Sequence, residues 1–421
     1  MIYFNEVTTK DLETFLPKDF FGKVLELKET QEQGRYIVAA QDIEPKQTVF
    51  KGSAFAFSIF DNSKKRTCYE CLRYDPNTSS LPFDCEICKS AWFCSLDCKL
   101  QSTEHSKTKE NSHETIKCSN ILSFGSIEKK QNKDIMSIIK ILLQLVSKIA
   151  NILGNDHTHN EDPNKKIWSE ELRPILLLSS LVSHEYKWPS EDILFWKKMV
   201  KIFVHQTTPL FNSFYSRYSI SDLEKLLLCL ISKVESNGFG LWSPTKVVQC
   251  YGRFLCVEAS FFNHSCDSNC LVYIKGKTIE IVAKQQVKKG EELTISYINV
   301  AKPKSSRRET LLSEYYFLCK CTRCNEVENA QSSSTSSQKK EKFSYTTKKY
   351  QHNKPKKKKT TKVDSTTNQS VQQPTLDSIQ SNSNDQFEQS ITDIQIQTDS
   401  QLQKHNHTTE DQLQSDETIN E

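Results

Sequence analysis

Two stretches decide the reading of this chain: Asn263-His264-Ser265-Cys266-Asp267-Ser268-Asn269-Cys270 and, further on, Gly290-Glu291-Glu292-Leu293-Thr294-Ile295-Ser296-Tyr297. Between them, Leu271-Val272-Tyr273-Ile274, a turn at Lys275-Gly276-Lys277 and Ile279-Glu280-Ile281-Val282 read as a β-hairpin. Thr294 to Tyr297 reads as a further strand. Taken singly, the Asn-His pair reads equally as a turn, and Gly-Glu-Glu as a loop entering a strand, because short motifs recur by chance.

Outward from this region the patterning changes twice. Residues 34–60 alternate in β fashion: Tyr36 to Ala40, a turn at Glu44-Pro45, then Thr48-Val49-Phe50 and Phe55-Ala56-Phe57. From about residue 127 to 235 the period is helical, with Ile135, Ile138, Ile139, Ile141, Leu142, Leu145, Val146 and Ile149 falling near i, i+3, i+4, i+7. Helical stretches follow at 170–183, 192–206 and 221–233, the loop His157 to Lys166 separating two of them, and a last helix is expected at 306–316. The run from Ile175 to Val182, read as the most apolar segment, is too short to span a bilayer and is expected to be a buried helix.

Residues 68–118 are dense in cysteine and hold no long apolar run. Cys68-x2-Cys71, Cys85-x2-Cys88 and Cys94-x3-Cys98, with His113-x4-Cys118 behind them, supply eight soft or borderline ligands, enough for two tetrahedral zinc ions. His105 is the rival of His113, which has the advantage of a cysteine soon after it. The N-terminus has no basic segment leading into an apolar run, so no secretory leader is expected. In a reducing compartment, 15 cysteines are metal ligands or buried thiols rather than disulfides. Cys229, Cys250, Cys256 and Cys270 lack metal-like partners nearby and are read as small buried hydrophobes.

Paired cysteines, then Trp92-Phe93-Cys94-Ser95, Cys98 and a His…Cys ending resemble the MYND zinc finger. The resemblance implies Cys68, Cys71, Cys94 and Cys98 on one ion, and Cys85, Cys88, His113 and Cys118 on the other. It also implies a module that docks short proline-containing peptides. The two opening motifs, with Gly34-Arg35-Tyr36-Ile37-Val38-Ala39-Ala40 upstream and Cys319-x-Cys321-x2-Cys324 downstream, resemble the SET domain of protein lysine methyltransferases. The order of these motifs over residues 20–324, with the zinc finger inserted after the first, is similar to the SET/MYND (SMYD) methyltransferases.

That resemblance implies an α+β chain. Its parts would be an N-terminal SET segment at 20–66, the zinc finger at 68–118, a helical insert at 119–249, the SET core at 250–300 and a post-SET cluster at 301–324. By the same resemblance Gly34, Arg35, Asn237, Asn263, His264 and Phe317 would hold S-adenosylmethionine, His264 largely through its backbone. Tyr297 would be the active-site tyrosine, and Tyr315 would wall the lysine channel with it. Cys266, Cys319, Cys321 and Cys324 would bind a third zinc. The chemistry suits such a site. Methyl transfer is an in-line displacement that needs a dry, aligned channel, and desolvation there favours the neutral, nucleophilic lysine.

Two departures stand out. Tyr36 occupies the place of the family's second glycine, and Ser268 stands where a proline follows the cysteine. Tyr36 is the feature that favours an alternative, a catalytically inactive adaptor that binds proline-containing peptides through the zinc finger. A net charge of +4 on 421 residues does not favour a protein that holds nucleic acid by bulk charge, and no basic recognition helix is evident. The tail from residue 325 to 421 is low in complexity and expected to be disordered. Its lysines, Lys354 and Lys356 to Lys359 foremost, could serve as a solvated linker, a nuclear signal or a weak nucleic-acid arm. The expected chain is an intracellular monomer, nuclear or cytoplasmic, that acts on a protein and not at a membrane.

Overall fold

Helix α1 (Thr9–Phe15) opens the fold on a capping box: the Thr8 hydroxyl accepts the Asp11 N–H at 3.2 Å, and the Asp11 carboxylate accepts the Thr8 N–H at 3.0 Å. The computed structural model describes residues 7–86, 88–104, 133–155, 172–243 and 248–325. All of them belong to the first of two units, Met1–His352 and Asn353–Glu421. After α1 come strands β1 (Leu25–Thr30), β2 (Gly34–Ala39), β3 (Thr48–Ser53), β4 (Ala56–Ile59), β5 (Phe83–Asp84) and β6 (Trp92–Phe93), then helix α2 (Leu96–Glu104). The helical section holds α3 (Lys133–Asn155), α4 (Arg173–Ser180), α5 (Ser190–Tyr215) and α6 (Ile220–Asn237). Strands β7 (Phe239–Trp242), β8 (Cys250–Leu255), β9 (Asn263–His264), β10 (Cys270–Lys275), β11 (Thr278–Ala283) and β12 (Thr294–Ile295) follow, and helices α7 (Lys304–Tyr315) and α8 (Thr322–Asn325) end the described part.

The sheets are small and pair distant parts of the chain. β1 and β2 form an antiparallel hairpin, β3 pairs with β11 of the β10–β11 hairpin, and β4 pairs with β8, which also carries β7. Strand β4 is therefore an edge, and α3 covers it. The Gln144 side chain donates to the Phe57 carbonyl at 2.6 Å and accepts the Phe57 N–H at 3.1 Å, so this buried edge has no unmet polar group at Phe57. Ile138, Ile139, Leu142, Leu145 and Val146 of α3 are buried, as their spacing requires.

Several elements differ from the sequence expectation. Helix α1 and strand β1 were not foreseen, being too short for their periodicity to stand out, yet Leu12, Leu16 and Leu25 are buried. Helix α5 runs past the expected end at 206, through Pro209, to Tyr215. It is non-helical at Phe211 (φ −122°, ψ 20°), two residues beyond Pro209. Helix α4 stops at Ser180, so Val182 is exposed rather than buried. The apolar segment that stands out by length is instead Ile135–Leu153, with a mean hydropathy of 1.7. By length and composition it could cross a membrane, but 78% of it is buried inside the fold, as for a core helix. Cys256 and Cys270 are buried as expected, whereas Cys229 and Cys250 are only half-buried.

The central strand β8 has a sharp packing limit. A Cβ on Gly252 would lie 2.4 Å from the Ser58 carbonyl oxygen of β4, a backbone atom that cannot swing away. Gly252→Ala should cost about 3 kcal/mol of stability, the upper end of an overpacking substitution. Urea unfolding of the two chains measures it, and an unchanged midpoint would show that the two strands can part without cost.

Candidate active site

The two motifs that opened the sequence lie side by side. β9 and β12 pair in parallel, Asn263 opposite Thr294 and His264 opposite Ile295, and the Ser265 N–H continues the ladder to the Ile295 carbonyl at 3.0 Å. The segment before β12 is tied to β2: Gly290 N–H donates to Ala39 O at 2.8 Å, Ala39 N–H to Glu291 O at 2.9 Å, and Leu293 N–H to Ile37 O at 2.8 Å. Gly290 makes this turn at φ 87°, a conformation that disfavours any side chain. The β10–β11 hairpin is what brings the two motifs back together.

Glu292 holds the first motif in place. One carboxylate oxygen accepts from Asn263 Nδ2 at 3.1 Å and the other from Gln33 Nε2 at 3.3 Å, while the Glu292 carbonyl accepts from Asn269 Nδ2 at 2.8 Å. The orientation of the Asn263 amide is thereby set. Gly34, at φ 66°, closes the β1–β2 hairpin next to Gln33. Arg35 turns elsewhere: its guanidinium donates to the Ser180 carbonyl and stands 5.8 Å from the Phe261 ring centre. Burial, opposed by Glu29, lowers its pKa. Lys233 donates to the Leu178 and Ser179 carbonyls at 3.2 and 2.6 Å, so two cationic side chains meet the C-terminal end of α4. Tyr36 pairs across from Lys28, and strand alternation puts it on the face opposite Arg35 and Ile37.

Aromatic rings gather around His264. Tyr297 lies 5.3 Å from it between ring centres, Phe317 lies 6.1 Å from it, and Tyr315 is 5.1 Å from Tyr297. Tyr297 donates its hydroxyl to the Phe262 carbonyl at 2.7 Å. Burial first, and then the Glu292 charge, push the Tyr297 phenol above its ordinary pKa, so it stays protonated. Tyr316, left-handed at φ 63°, ends α7 and turns the chain so that Phe317 faces His264. Asn237 donates to the carbonyls of Val182 and Lys233 at 2.9 and 2.8 Å, which fastens the segment after α4 to the end of α6. That segment brings His184 to 4.8 Å from the Tyr316 ring.

The cysteines gather in two quartets: Cys68, Cys71, Cys94 and Cys98, and Cys266, Cys319, Cys321 and Cys324, the ligand atoms of each within 4.8 Å of one another. In a tetrahedral zinc site with bonds of 2.3 Å, neighbouring sulfurs stand about 3.8 Å apart. Here the separations are 3.6 Å for Cys71–Cys94, 3.6 Å for Cys94–Cys98, 4.0 Å for Cys266–Cys319 and 3.6 Å for Cys266–Cys324. Both donor sets fit the ion. Cys85 and Cys88 are described, but His113, Cys118 and the rival His105 fall outside the described residues.

Sequence reasoning missed Arg307. It is buried on α7, its Nε stands 3.3 Å from Cys266 Sγ, and a terminal nitrogen stands 3.7 Å from Cys324 Sγ. Four thiolates around a divalent ion carry two excess negative charges, and a guanidinium against two of the sulfurs offsets one. No spacing rule marks a lone arginine for that role; the same holds for His184 and Tyr316.

The SET domain family model matches residues 34–298, well over half of the chain. A SET and MYND domain-containing protein of Dictyostelium discoideum is 26% identical over 335 residues, covering 75% of this chain and 85% of its own length. N-lysine methyltransferase SMYD2 of Homo sapiens is 25% identical over 293 residues, covering 69% of this chain and 58% of its own length. A solved structure of Rubisco LSMT bound to AdoMet overlaps 71% of this chain and 53% of its own at 12% identity, with a TM-score of 0.33. The chain belongs to the SET domain family, and its relatives include SET and MYND domain-containing proteins.

Two metal variants test the quartets. Cys71→Ser and Cys319→Ser should each lower the bound zinc by one equivalent, and the double variant by two, as read by a colorimetric chelator. Arg307→Met should keep its zinc but release it to the chelator roughly 10–100-fold more readily, the usual effect of losing an outer partner. An unchanged release rate would leave Arg307 a packing residue only.

Proposed function

We propose that the chain transfers a methyl group from S-adenosylmethionine to lysine side chains of a protein substrate. The observation that carries this reading is the pairing of β9 with β12, which brings Asn263, His264 and Tyr297 into one cluster walled by Tyr315 and Phe317. The residue set suits the cofactor: aromatic faces for a purine and a sulfonium, and amides for its amino-acid end. Asn263, held by Glu292, would bind and orient the cofactor, with Gly34 at the hairpin beside it and Asn237 at the end of α6. Arg35 is spent on Ser180 and would act from behind, by fixing α4. When bound, the cofactor supplies an electrophilic methyl on a positively charged sulfur.

The chain's own residues supply the rest. Tyr297 and Tyr315 form a wall that strips water from an entering lysine, which favours its neutral form. The Tyr297 hydroxyl, protonated and anchored on Phe262 O, keeps a fixed dipole at the reacting end without being a base. For the zinc finger, the proposed partner is a proline-containing peptide, on the strength of the resemblance in its cysteine order.

Calorimetry and a radiolabelled methyl assay on histones and a lysine peptide library test the reading. The native chain should bind S-adenosylmethionine at micromolar strength. Asn263→Ala should weaken binding at least tenfold, about 1.4 kcal/mol, and Glu292→Ala should follow it. Tyr297→Phe should hold the cofactor within about threefold while kcat falls roughly 100-fold. A native chain that neither binds nor transfers, with both restored by Tyr36→Gly, would mean that Tyr36 has closed the site and that the adaptor reading stands.

A further inference from the structure

His264 has both ring nitrogens engaged inside the protein. Nδ1 lies 3.0 Å from the backbone nitrogen of Tyr297 and accepts its N–H. A neutral ring that accepts at Nδ1 carries its hydrogen on Nε2. Nε2 in turn stands 3.3 Å from Cys266 Sγ, one of the four sulfurs of the second quartet. A cysteine bound to a metal is a thiolate and can only accept. The tautomer that the first contact demands is therefore the one that the second needs.

We propose that His264 is a positioning residue that links the metal centre of Cys266, Cys319, Cys321 and Cys324 to Tyr297, through Cys266 Sγ, Nε2–H, Nδ1 and the Tyr297 N–H. The proposal rests on the methyltransferase reading only in taking Tyr297 as the tyrosine at the reaction centre. Strand β12 ends at Ile295, so the Tyr297 N–H lies beyond its ladder and goes to the imidazole instead. The Tyr297 hydroxyl is held by the Phe262 carbonyl at 2.7 Å. Residues 262–264 thus grip Tyr297 at both ends, and the grip is backed by a thiolate that Arg307 holds from another side. A ring committed in this way has no nitrogen left for the cofactor, so the role of His264 differs from that of Asn263 beside it. The histidine sets where the phenol stands, and the asparagine meets the ligand.

Two substitutions in the full-length, zinc-loaded chain split the ring into its halves. His264→Asn places an amide near Nδ1: it keeps an acceptor for Tyr297 and gives up the sulfur. His264→Gln reaches toward Nε2: it keeps a donor for the sulfur and gives up Tyr297. Hydrogen exchange of the peptide spanning residues 294–298, zinc release to a chelator, and the split between kcat and KM are read for both. In His264→Gln the Tyr297 amide should exchange at least about tenfold faster with zinc release unchanged. In His264→Asn the amide should stay protected while zinc leaves about tenfold faster. Both should lower kcat and leave KM for S-adenosylmethionine within about twofold. Native-like exchange and zinc release in both variants, with KM raised tenfold, would overturn the proposal and make His264 a cofactor contact. Should even the native chain lack transferase activity, the function reading falls alone, because exchange and zinc release still decide the link.

Discussion

Everything at the site hangs on two pairs of residues lying in parallel, Asn263-His264 against Thr294-Ile295. Two-residue strands have almost no stability of their own, since a short ladder cannot offset the backbone entropy of ordering it. Their register is imposed from outside. The β10–β11 hairpin delivers β12, the contacts of residues 290–293 with β2 set its height, and Glu292 and Asn269 pin the flanking side chains. A slip of one residue would turn every side chain to the other face. The Tyr297 N–H would then lose His264, and Asn263 would lose Glu292.

Metal does at two places what packing does elsewhere. Around the first quartet Leu72 and Tyr74 join the main core, while the separate buried cluster among the described residues is Cys68, Leu81, Ala91 and Phe93. At about 1.5–3 kcal/mol for each large side chain, these cannot offset about 1–2 kcal/mol of backbone entropy per ordered residue. A structural zinc contributes roughly 10–16 kcal/mol toward that cost. The second quartet has a different duty. Its ligands come from Cys266, within the first motif, and from the segment after α7, so the same ion that stabilises the segment also fixes Phe317 against His264.

Much of this was legible beforehand because it is written in periods and spacings. The buried stripe of α3, the β10–β11 hairpin and the paired cysteines follow rules that operate within one stretch of chain. What escaped depends on tertiary geometry. Nothing near Arg307 says that its guanidinium ends between two sulfurs. Nothing in the local sequence directs Arg35 to the end of α4, since the carbonyl it meets, on Ser180, lies far along the chain. The resemblance grouped Asn263, His264 and Tyr297, but which nitrogen of His264 faces which partner follows from strand register alone. Helix α1 went unread because seven residues carry too little periodicity, although its capping box at Thr8 and Asp11 was there to be seen.

The Gln144 amide that closes the edge of β4 bears on how the chain folds as it is made. Strand β4 cannot meet β8 until the ribosome has added the whole helical section, roughly 10–40 s later at about 5–20 residues per second. During that wait both edges of a short apolar strand, Ala56 to Ile59, lie open to other nascent chains. Helix α3 emerges much sooner, and with it a side chain that mimics a neighbouring strand, offering a donor and an acceptor to Phe57. Glutamine at 144 thus closes one edge of the strand early and for good, and leaves only the other to wait for β8.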